Sequence, residues 1–388
     1  MLLTLMDQTA FIKENIPNLQ KHFKQAENKP DILSDLLNEI SIRRTRDYIV
    51  KNYPDAYITY DRGDGELVEK KIEFPNRKLE NIEYKLDSAY QGMYKDISIT
   101  ISDKLTMAYY RILEYKHNGG LNEEEQMELG RMIAIGGIFR TILLKRLESS
   151  VDAFRLSVSK QIEFLENLKK YMNKGYILSK KTFNKFLLLA DEEIEPEDIK
   201  EDLIPFDRED YQYDQLISDI DQDITLLTAI LGKVATITPD KDAKLKVLKK
   251  TLLELSKTGQ IVVFTYYADT LNYISKEIKN NSKFSHLSIE SISSSGSTCK
   301  TPDQRAQIIE KFAGNEIDII LSTDVLSEGQ NLQNAKYLIN YDLHWNPTRM
   351  IQRAGRIDRI GSPFKEIFIY NFFPRSEERR VGKECRSR

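Results

Sequence analysis

The sequence predicts an α/β fold in which a parallel sheet is flanked by helices and interrupted by a large α-helical insertion. After about residue 238, short apolar runs of strand length alternate with amphipathic helical patterns. Strands buried on both faces have this continuous apolar character, and their alternation with helices predicts parallel pairing. Between residues 96 and 190, by contrast, apolar residues recur at helical spacing over long stretches, which predicts the insertion.

The elements predicted after residue 238 alternate in type along the chain. The predicted helices are Ala243–Leu255, Leu271–Lys279, Thr301–Phe312 and a helix that opens over Thr348–Arg353. The predicted strands are Ile261–Thr265, His286–Ser293, Ile317–Leu321, Tyr337–Tyr341 and Ile367–Phe372. In a parallel sheet of this kind, ligands bind at the loops that follow the C-terminal ends of the strands.

The first 237 residues are predicted to be mostly helical. Residues 1–60 carry an amphipathic helical pattern, and Ile82–Leu86 alternates in the manner of a short strand. Two longer helices are predicted over Met132–Leu147 and Ser157–Met172. The stretch Asp191–Asp223 is strongly acidic, which predicts a solvated, partly mobile loop-and-helix segment.

Composition narrows the class of protein. The chain has 388 residues, 40% of them hydrophobic and 30% charged, and a net charge of −3. No apolar run approaches the roughly 20 residues of a membrane helix, and the N-terminus lacks the features of a secretion signal. Two cysteines and four histidines are too few for a disulfide framework or a zinc cluster. We therefore expect a cytoplasmic protein that uses no membrane.

The last residues, 375–388, have a separate origin in our interpretation. They match, codon by codon, the in-frame translation of a common DNA-sequencing adapter. A basic nucleic-acid-binding tail is the alternative interpretation. We expect residues 375–388 to pack on nothing, because such a peptide was never selected to fit this surface.

Three loops of the α/β region carry the informative motifs. They are Ser322–Leu332 directly after a strand, Tyr341–Thr348, and the arginine-rich Gln352–Gly361. In this order they resemble motifs V, Va and VI of superfamily-two helicases, closest to the bacterial SWI/SNF-like branch. Ile261–Tyr266 is similar to motif IV of the same family. The resemblance covers about residues 240–374 and implies a RecA-like lobe, the second of the two motor lobes in such proteins.

The resemblance implies roles for the residues of the third loop. Arg356 and Arg359 correspond to arginine fingers, which direct a fixed fork of donors at the γ-phosphate of ATP. Their i, i+3 spacing would place both on one side of a helical turn. Gln352 and Arg353 would orient the pair or contact nucleotide or nucleic acid. The alternative is a solvated basic helix end.

The resemblance also implies a set of loop contacts. Asp324 is expected to take a ribose hydroxyl or to hold a finger arginine, and Gly329 lies beside the nucleotide. Nucleic-acid contacts through hydroxyls and backbone amides are expected from the following residues: Thr265, Ser322, Thr323, Glu328 and Asn331. The alternative is an ordinary polar loop between a strand and a helix.

Two segments outside the motor motifs carry weaker similarity. Ile42–Arg46, followed by Tyr53 and Pro54, is similar to the stretch where SWI/SNF-like proteins cross between lobes. Leu143–Ser150 resembles a helical segment of bacterial members that carry a phospholipase-D-like domain elsewhere. The alternative for the second segment is an amphipathic scaffold helix.

Family members bind ATP on a first lobe through a G-x-x-x-x-G-K-[ST] loop, and hold Mg²⁺ with an acidic motif. The pair Gly232–Lys233 belongs to no such loop, and the strand-like run ending at Asp191–Glu193 has no such loop before it. We therefore expect a fragment that begins past the ATP-binding motifs of the first lobe and keeps only a remnant of that lobe. ATP and Mg²⁺ would then be bound mainly by the missing part, and this chain alone would be inactive.

The expected domains follow the resemblance. Residues 1–60 are a first-lobe remnant with lobe-crossing helices, 61–100 begin the second lobe, 101–237 are the insertion, and 238–374 complete the lobe. The expected function is that of the C-terminal motor lobe of an ATP-dependent DNA helicase or translocase. The alternatives are a non-catalytic nucleic-acid-binding or interaction scaffold and an RNA helicase, since backbone contacts carry little base information.

Overall fold

The computed structural model describes residues 18, 51–52, 57–61, 67–71, 73–117, 121–178, 203–293, 301–327, 332–344, 346–359 and 362–375. Two compact units divide the chain at Glu73 and Phe74. The strands are β1 (Tyr57–Asp61), β2 (Leu67–Lys71), β3 (Asn76–Tyr84), β4 (Tyr176–Leu178), β5 (Leu203–Pro205), β6 (Gln260–Phe264), β7 (Ile289–Ile292), β8 (Ile319–Ser322), β9 (Ala335–Asn340) and β10 (Glu366–Pro374).

The described part of the first unit contains an antiparallel hairpin. Strands β1 and β2 pair in register from Tyr57 opposite Lys71 to Asp61 opposite Leu67. The helical pattern predicted for residues 1–60 is therefore wrong from Tyr57 onward. Aromatic and β-branched residues in Tyr57–Tyr60 favour a pleated strand, and pairing with β2 satisfies its backbone groups. The lobe-crossing motif at Ile42–Arg46 lies outside the described residues.

The second unit is built on a six-stranded sheet with the order β3–β10–β9–β6–β8–β7. Every adjacent pair in this sheet is parallel. The predicted α/β fold with a parallel sheet is thus confirmed. Strand β6 lies between β8 and β9, so the chain leaves β6 toward one side of the sheet and returns to its other side.

Strand β3 occupies an edge of the sheet and begins earlier than predicted. The sequence predicted Ile82–Leu86, whereas the strand spans Asn76–Tyr84 and pairs with β10 along its whole length. Most of its residues are exposed, including Leu79 at 72%. An exposed edge strand needs no apolar alternation, so its first residues gave no strand signal.

Nine α-helices lie in the described residues. Those between β3 and β6 are α1 (Leu86–Ala89), α2 (Tyr94–Ile99), α3 (Glu123–Ser149), α4 (Val151–Asn173) and α5 (Tyr213–Ala235). Those after residue 242 are α6 (Ala243–Leu255), α7 (Ala268–Lys279), α8 (Pro302–Ala313) and α9 (Pro347–Ile357). The predicted helical insertion is confirmed, and α6 has the bounds that its apolar spacing predicted.

The acidic segment is partly wrong as a prediction. Residues 179–202 lie outside the described residues. The helical part of the prediction is present as α5, but one face of this helix is buried rather than solvated. Leu216, Ile220 and Asp223 lie on its buried face. Their spacing is helical, and burying an apolar stripe stabilises a helix more than the acidic residues of its other face oppose it.

The two faces of the sheet contact separate apolar clusters. Ile261 and Val263 of β6 belong to a cluster that continues into the helical insertion, whereas Val262 and Phe264 belong to the cluster on the opposite face. Each fully buried side chain of this size contributes about 1.5–3 kcal/mol. Within the described ranges, no helix combines the length and apolar character needed to cross a bilayer.

Candidate functional site

Three loops converge at the C-terminal edge of the sheet. They follow β6, β8 and β9, which are neighbouring strands of the parallel sheet, so their carboxyl ends open on the same side. Thr265 donates its N–H to the Ser322 carbonyl (2.9 Å), and Tyr341 donates its N–H to the Phe264 carbonyl (2.9 Å). Helix α9 leads away from this edge and carries the arginines of the third motif.

Arg353 of α9 is the centre of a buried polar network. Its Nε and Nη2 donate to the two carboxylate oxygens of Asp324 at 2.6 and 2.9 Å. Its Nη1 donates to Asn340 Oδ1 (3.2 Å) and to the Asp342 carbonyl (3.0 Å). The guanidinium also lies 5.2 Å from the centroid of the Phe264 ring. A two-pronged bond of this kind fixes both partners in one geometry.

The network determines what Arg353 and Asp324 do in this structure. Arg353 was expected at the nucleotide or orienting its neighbours, and it is 0% exposed with its donors directed at protein groups. A direct nucleotide contact from Arg353 would require these bonds to break. Asp324 was expected to take a ribose hydroxyl or to hold a finger arginine, but the arginine that it holds is Arg353, which was not one of the expected fingers.

The predicted finger arginines lie at the other end of α9 and are only half-buried. The helix ends at Ile357, and Asp358 has non-helical backbone angles (φ −88°, ψ 73°). The expectation that Arg356 and Arg359 share one helical turn is therefore wrong for Arg359. Its Nε nevertheless folds back to the Gly355 carbonyl at 3.3 Å, so its side chain lies against the last turn.

The guanidinium of Arg359 bonds the described part of the protein through its Nε alone. Its two terminal nitrogens make no hydrogen bond to any residue within the described ranges. The carbonyl of Arg356 accepts the Leu332 N–H (3.2 Å), which ties this end of α9 to the loop after β8. Gln352, one turn earlier, has a buried Oε1 atom without a hydrogen-bond partner among the described residues.

The residues expected to contact nucleic acid form two groups. Some are buried, and the others lie outside the described ranges. Thr265 is fully buried, and its hydroxyl donates to the Tyr267 carbonyl (3.3 Å) instead of facing outward. Ser322 is also fully buried and donates to the Thr323 carbonyl (2.8 Å). Thr323 is 6% exposed, and its Oγ1 has no partner among the described residues.

The hydroxyls of Thr265 and Ser322 therefore face protein groups, and the expected nucleic-acid contacts of these two residues stay predictions. Both follow or end fully buried strands, where a small hydroxyl satisfies a local carbonyl rather than solvent. Glu328, Gly329 and Asn331 lie outside the described residues. Their expected contacts stay predictions.

Two buried charges at this edge were missed by the sequence analysis. Lys244 of α6 donates to Asp342 Oδ1 at 3.0 Å, and its Nζ lies 3.9 Å from the Tyr341 ring centroid. Side-chain exposure is 5% for Lys244 and 8% for Asp342. The position of Lys244 beside the apolar stripe of α6 was the only signal, and a lysine there is usually solvated.

His344 follows Asp342 in the same loop. Its Nδ1 accepts the Asn346 N–H (2.9 Å), and its ring centroid lies 5.1 Å from that of Tyr266. Burial lowers the pKa of His344 below its ordinary value, although the nearby Asp324 carboxylate opposes the shift. Burial therefore favours the neutral form of the imidazole.

The arrangement of these motifs agrees with a comparison against protein families. Residues 243–361 match the family described as the helicase conserved C-terminal domain. This chain contains a helicase C-terminal domain. The helicase domain includes α6, β6–β9 and α9, and therefore Arg353, Arg356, Arg359 and Asp324.

Several known proteins are similar to this helicase domain. The uncharacterized ATP-dependent helicase YqhH of Bacillus subtilis (strain 168) is 29% identical over 152 residues, covering 39% of this chain and 24% of that protein. The human DNA repair and recombination protein RAD54B is 30% identical over 140 residues, covering 34% and 14%. The ATP-dependent RNA helicase CshA of Limosilactobacillus reuteri is 38% identical over 61 residues, covering 16% and 12%.

The chain therefore spans at most 24% of the length of these three relatives. Among solved structures, the crystal structure of the C-terminal part of the Fun30 ATPase domain is 16% identical. It covers 80% of this chain and 90% of that chain, with a TM-score of 0.39.

Proposed function

We propose that this chain is the C-terminal motor lobe of an ATP-dependent DNA helicase or translocase of the SWI/SNF-like type. In this proposal it works with an N-terminal RecA-like lobe of the same polypeptide, and it would supply Arg356 and Arg359 to ATP held between the lobes. The observation that carries the proposal is the Arg359 guanidinium, which lies just past the end of a firmly held helix and whose terminal nitrogens bond no residue within the described ranges.

In this proposal, one arginine of the motif holds α9 in place and the other two act on the nucleotide. Arg353 ties α9 to the loop after β8 through Asp324 and to β9 through Asn340. This bonding leaves α9 little freedom to tilt relative to the sheet. Arg356 near the end of α9 and Arg359 just past it would then both be attached to a fixed base. Electrostatic stabilisation of transferring phosphoryl groups requires donors that are held in place before the reaction.

The residues of this chain would contact only the γ-phosphate end of a bound nucleotide. Bound ATP would supply the phosphoanhydride bond whose cleavage drives movement, and its γ-phosphate suits a guanidinium fork. No group of three or more histidine, cysteine or acidic side chains with metal-binding spacing occurs in the described part of the chain. We assign Mg²⁺ and most nucleotide contacts to the N-terminal lobe, because the resemblance places the phosphate-binding loop and the acidic motif there.

Nucleic acid would contact the loops that follow β6 and β8. Because the hydroxyls of Thr265 and Ser322 face inward, we assign the contacts to backbone amides and to the segment Glu328–Asn331. The chain carries a net charge of −3, so attraction to nucleic acid would come from local donors rather than from overall charge. Binding should weaken strongly as salt rises.

The test is nucleic-acid-stimulated ATP hydrolysis by the protein joined to its N-terminal lobe. Arg356→Ala should lower kcat by about 10³- to 10⁵-fold, the usual contribution of an arginine finger. Arg356→Lys should lower kcat as well, because an ammonium cannot reproduce the guanidinium fork. Arg131→Ala, at a surface arginine of α3, is the matched control and should leave kcat unchanged.

Each outcome of this experiment has a defined meaning. Normal kcat in Arg356→Ala would favour the scaffold alternative. Stimulation by RNA but not by DNA would favour an RNA helicase, and the similarity to CshA makes this comparison necessary. ATP turnover above background by the 388-residue chain alone would contradict the need for a second lobe.

A further inference from the structure

The segment Leu143–Ser150 has no role in the function proposed above, although its sequence drew attention. It forms the end of α3 and the sharp corner into α4, where Ser150 has extended backbone angles and caps the new helix. We call Arg146–Ser150 the insertion corner. Ser149 and Ser150 are each 3% exposed, so the corner is buried against the helicase domain.

The insertion corner contacts the loop and helix that follow β6. Arg146 pairs with Asp269 at 2.5 Å, and its guanidinium lies 4.6 Å from the Tyr267 ring centroid. The hydroxyl of Thr270 lies 2.7 Å from that of Ser149. These contacts connect residues more than 100 positions apart in the chain, between the insertion and α7.

The corner also binds Asp342 in the loop after β9. Ser149 Oγ donates to Asp342 Oδ2 at 2.8 Å, and the same oxygen accepts the Tyr266 N–H at 3.2 Å. The other carboxylate oxygen accepts from Lys244, whose ammonium donates also to the carbonyls of Glu148 (3.0 Å) and Ser149 (2.9 Å). Lys244 thus bonds the corner and Asp342 at once.

Asp342 in turn holds the arginine network. Its main-chain carbonyl accepts from Arg353 Nη1 at 3.0 Å, and Arg353 holds Asp324. A continuous series of hydrogen bonds therefore runs from Ser149 through Asp342 and Arg353 to the turn at Asp324. Each buried bond in such a series fixes the geometry of the next.

We propose that Ser149 is a positioning residue: from the insertion corner it orients Asp342, and through Asp342 it sets the position of Arg353 and of the Asp324 turn. The helical insertion would then be linked to the loops after β8 and β9, which hold α9 in place through Asp324 and Asp342. The proposal rests on the proposed function only where it concerns catalysis. The geometric part can be tested on this chain alone.

The geometric test is amide hydrogen exchange in the 388-residue chain carrying Ser149→Ala. Exchange should be about 3- to 10-fold faster at Tyr266 and in residues 323–327, the factor that loss of one net hydrogen bond gives. Strand β6 should exchange as in the wild type. Ser157→Ala is the matched control, because that hydroxyl donates only to the Ala153 carbonyl within α4.

Two results would overturn the geometric part. One is equal exchange at Tyr266 and residues 323–327 in the Ser149→Ala and Ser157→Ala proteins. The other is faster exchange throughout the sheet, including β6, which would mean that Ser149 supports the fold in general.

The catalytic test uses the protein joined to its N-terminal lobe. Ser149→Ala should lower kcat by about 10-fold with little change in KM, because small misplacements of catalytic groups act on the chemical step. Ser157→Ala should have no effect. If Arg356→Ala abolishes turnover while Ser149→Ala leaves kcat intact, this inference fails and the proposed function stands. If Arg356→Ala itself leaves kcat unchanged, the proposed function fails.

Discussion

The helical insertion and the strand-end site bury polar groups in different ways. Among the described residues of the insertion, Asp223 is the only charged residue that is buried, and the other buried side chains are apolar apart from Ser149, Ser150 and Gln161. At the strand ends, Arg353, Lys244 and Asp342 are all buried within one network. The same chain thus has one core with almost no buried charge and a second region that is organised by buried charges.

The difference indicates what the buried charges contribute. Removing an ion pair from water costs several kcal/mol per ion, and replacing such a pair with apolar residues is often neutral or stabilising. The insertion shows that this chain can form an apolar core where only stability is required. The network at the strand ends is better explained by the geometry it imposes on α9 and on the loop after β8.

Loss of Arg353 should have the largest effect on stability. Arg353→Ala would leave Asp324 and Asn340 without their buried donor, and breaking a buried pair from one side typically costs about 3–5 kcal/mol. Urea unfolding of the purified chain measures this change. Arg131→Ala, which breaks an exposed pair with Glu128, should change the free energy of unfolding by less than about 0.5 kcal/mol. Equal effects of the two variants would remove the distinction between the regions.

In the insertion, the comparable loss should come from a cavity. Leu227 of α5 is 1% exposed, and Leu227→Ala should destabilise the chain by about 2–4 kcal/mol. Leu79→Ala on the exposed edge strand is the control, because Leu79 is 72% exposed. Unfolding by urea, followed by circular dichroism, would compare the two. A cost for Leu227→Ala as small as that for Leu79→Ala would contradict the packing described for α5.

The one buried carboxylate among the described residues of the insertion, that of Asp223, should have an intermediate effect. Asp223 accepts from the Thr106 N–H (2.6 Å), the Thr106 hydroxyl (3.0 Å) and the Met107 N–H (2.8 Å). Asp223→Asn would place an amide N–H₂ against one of these donors and should cost about 1–3 kcal/mol. An unchanged free energy of unfolding would mean that these bonds contribute nothing net.

The same residue should make stability depend on pH. Burial raises the pKa of Asp223 above its ordinary value, and its three hydrogen bonds only partly oppose the shift. The folded state therefore holds the proton more tightly than the unfolded state. The resulting stability is present below the ordinary aspartate pKa of about 4 and is lost as pH rises through the folded-state value. Asp223→Asn should thus cost more at pH 4 than at pH 7, measured by urea unfolding at each pH.

The smallest predicted effect concerns two adjacent glycines of α3. A Cβ atom added at Gly137 would meet nothing within 4 Å, so Gly137→Ala should stabilise the chain by about 0.5–1 kcal/mol. A Cβ atom at Gly136 would lie 3.1 Å from Tyr110 Cβ, which should cancel this gain. Thermal unfolding of the two variants provides the comparison. Equal stabilisation by both would mean that α3 packs less closely on Tyr110 than described.

The helicase domain could be predicted from sequence where local pattern and burial agree. Strands β6 and β8 are buried at every residue, so their apolar runs gave both their type and their place in the sheet. Edge strand β3 and the hairpin of β1 and β2 gave weaker signals, because exposed strands do not need an alternation of apolar and polar residues. Helix α5 was obscured by acidic residues on its exposed face.

The site was predictable as a set of loops but not as a set of contacts. The resemblance brought Asp324 and Arg353 to the same edge, yet an arginine in a polar helix gives no sign that it is fully buried. The link between Ser149 and Asp342 joins residues 193 positions apart, and no local pattern encodes such a pairing. The end of α9 before Arg359 was missed because Asp358 is buried and pairs with Arg77 of β3 (2.8 Å), a long-range contact that no local pattern encodes.

One measurement tests the central claim that Arg353 holds the site while the neighbouring arginines act on the nucleotide. It is the kcat for ATP hydrolysis of Arg359→Ala, in the protein joined to its N-terminal lobe, with its urea midpoint measured alongside. We expect kcat to fall by about 10³- to 10⁵-fold while the midpoint stays at the wild-type value, because the terminal nitrogens of Arg359 bond no described residue. A near-normal kcat in Arg359→Ala would contradict the claim.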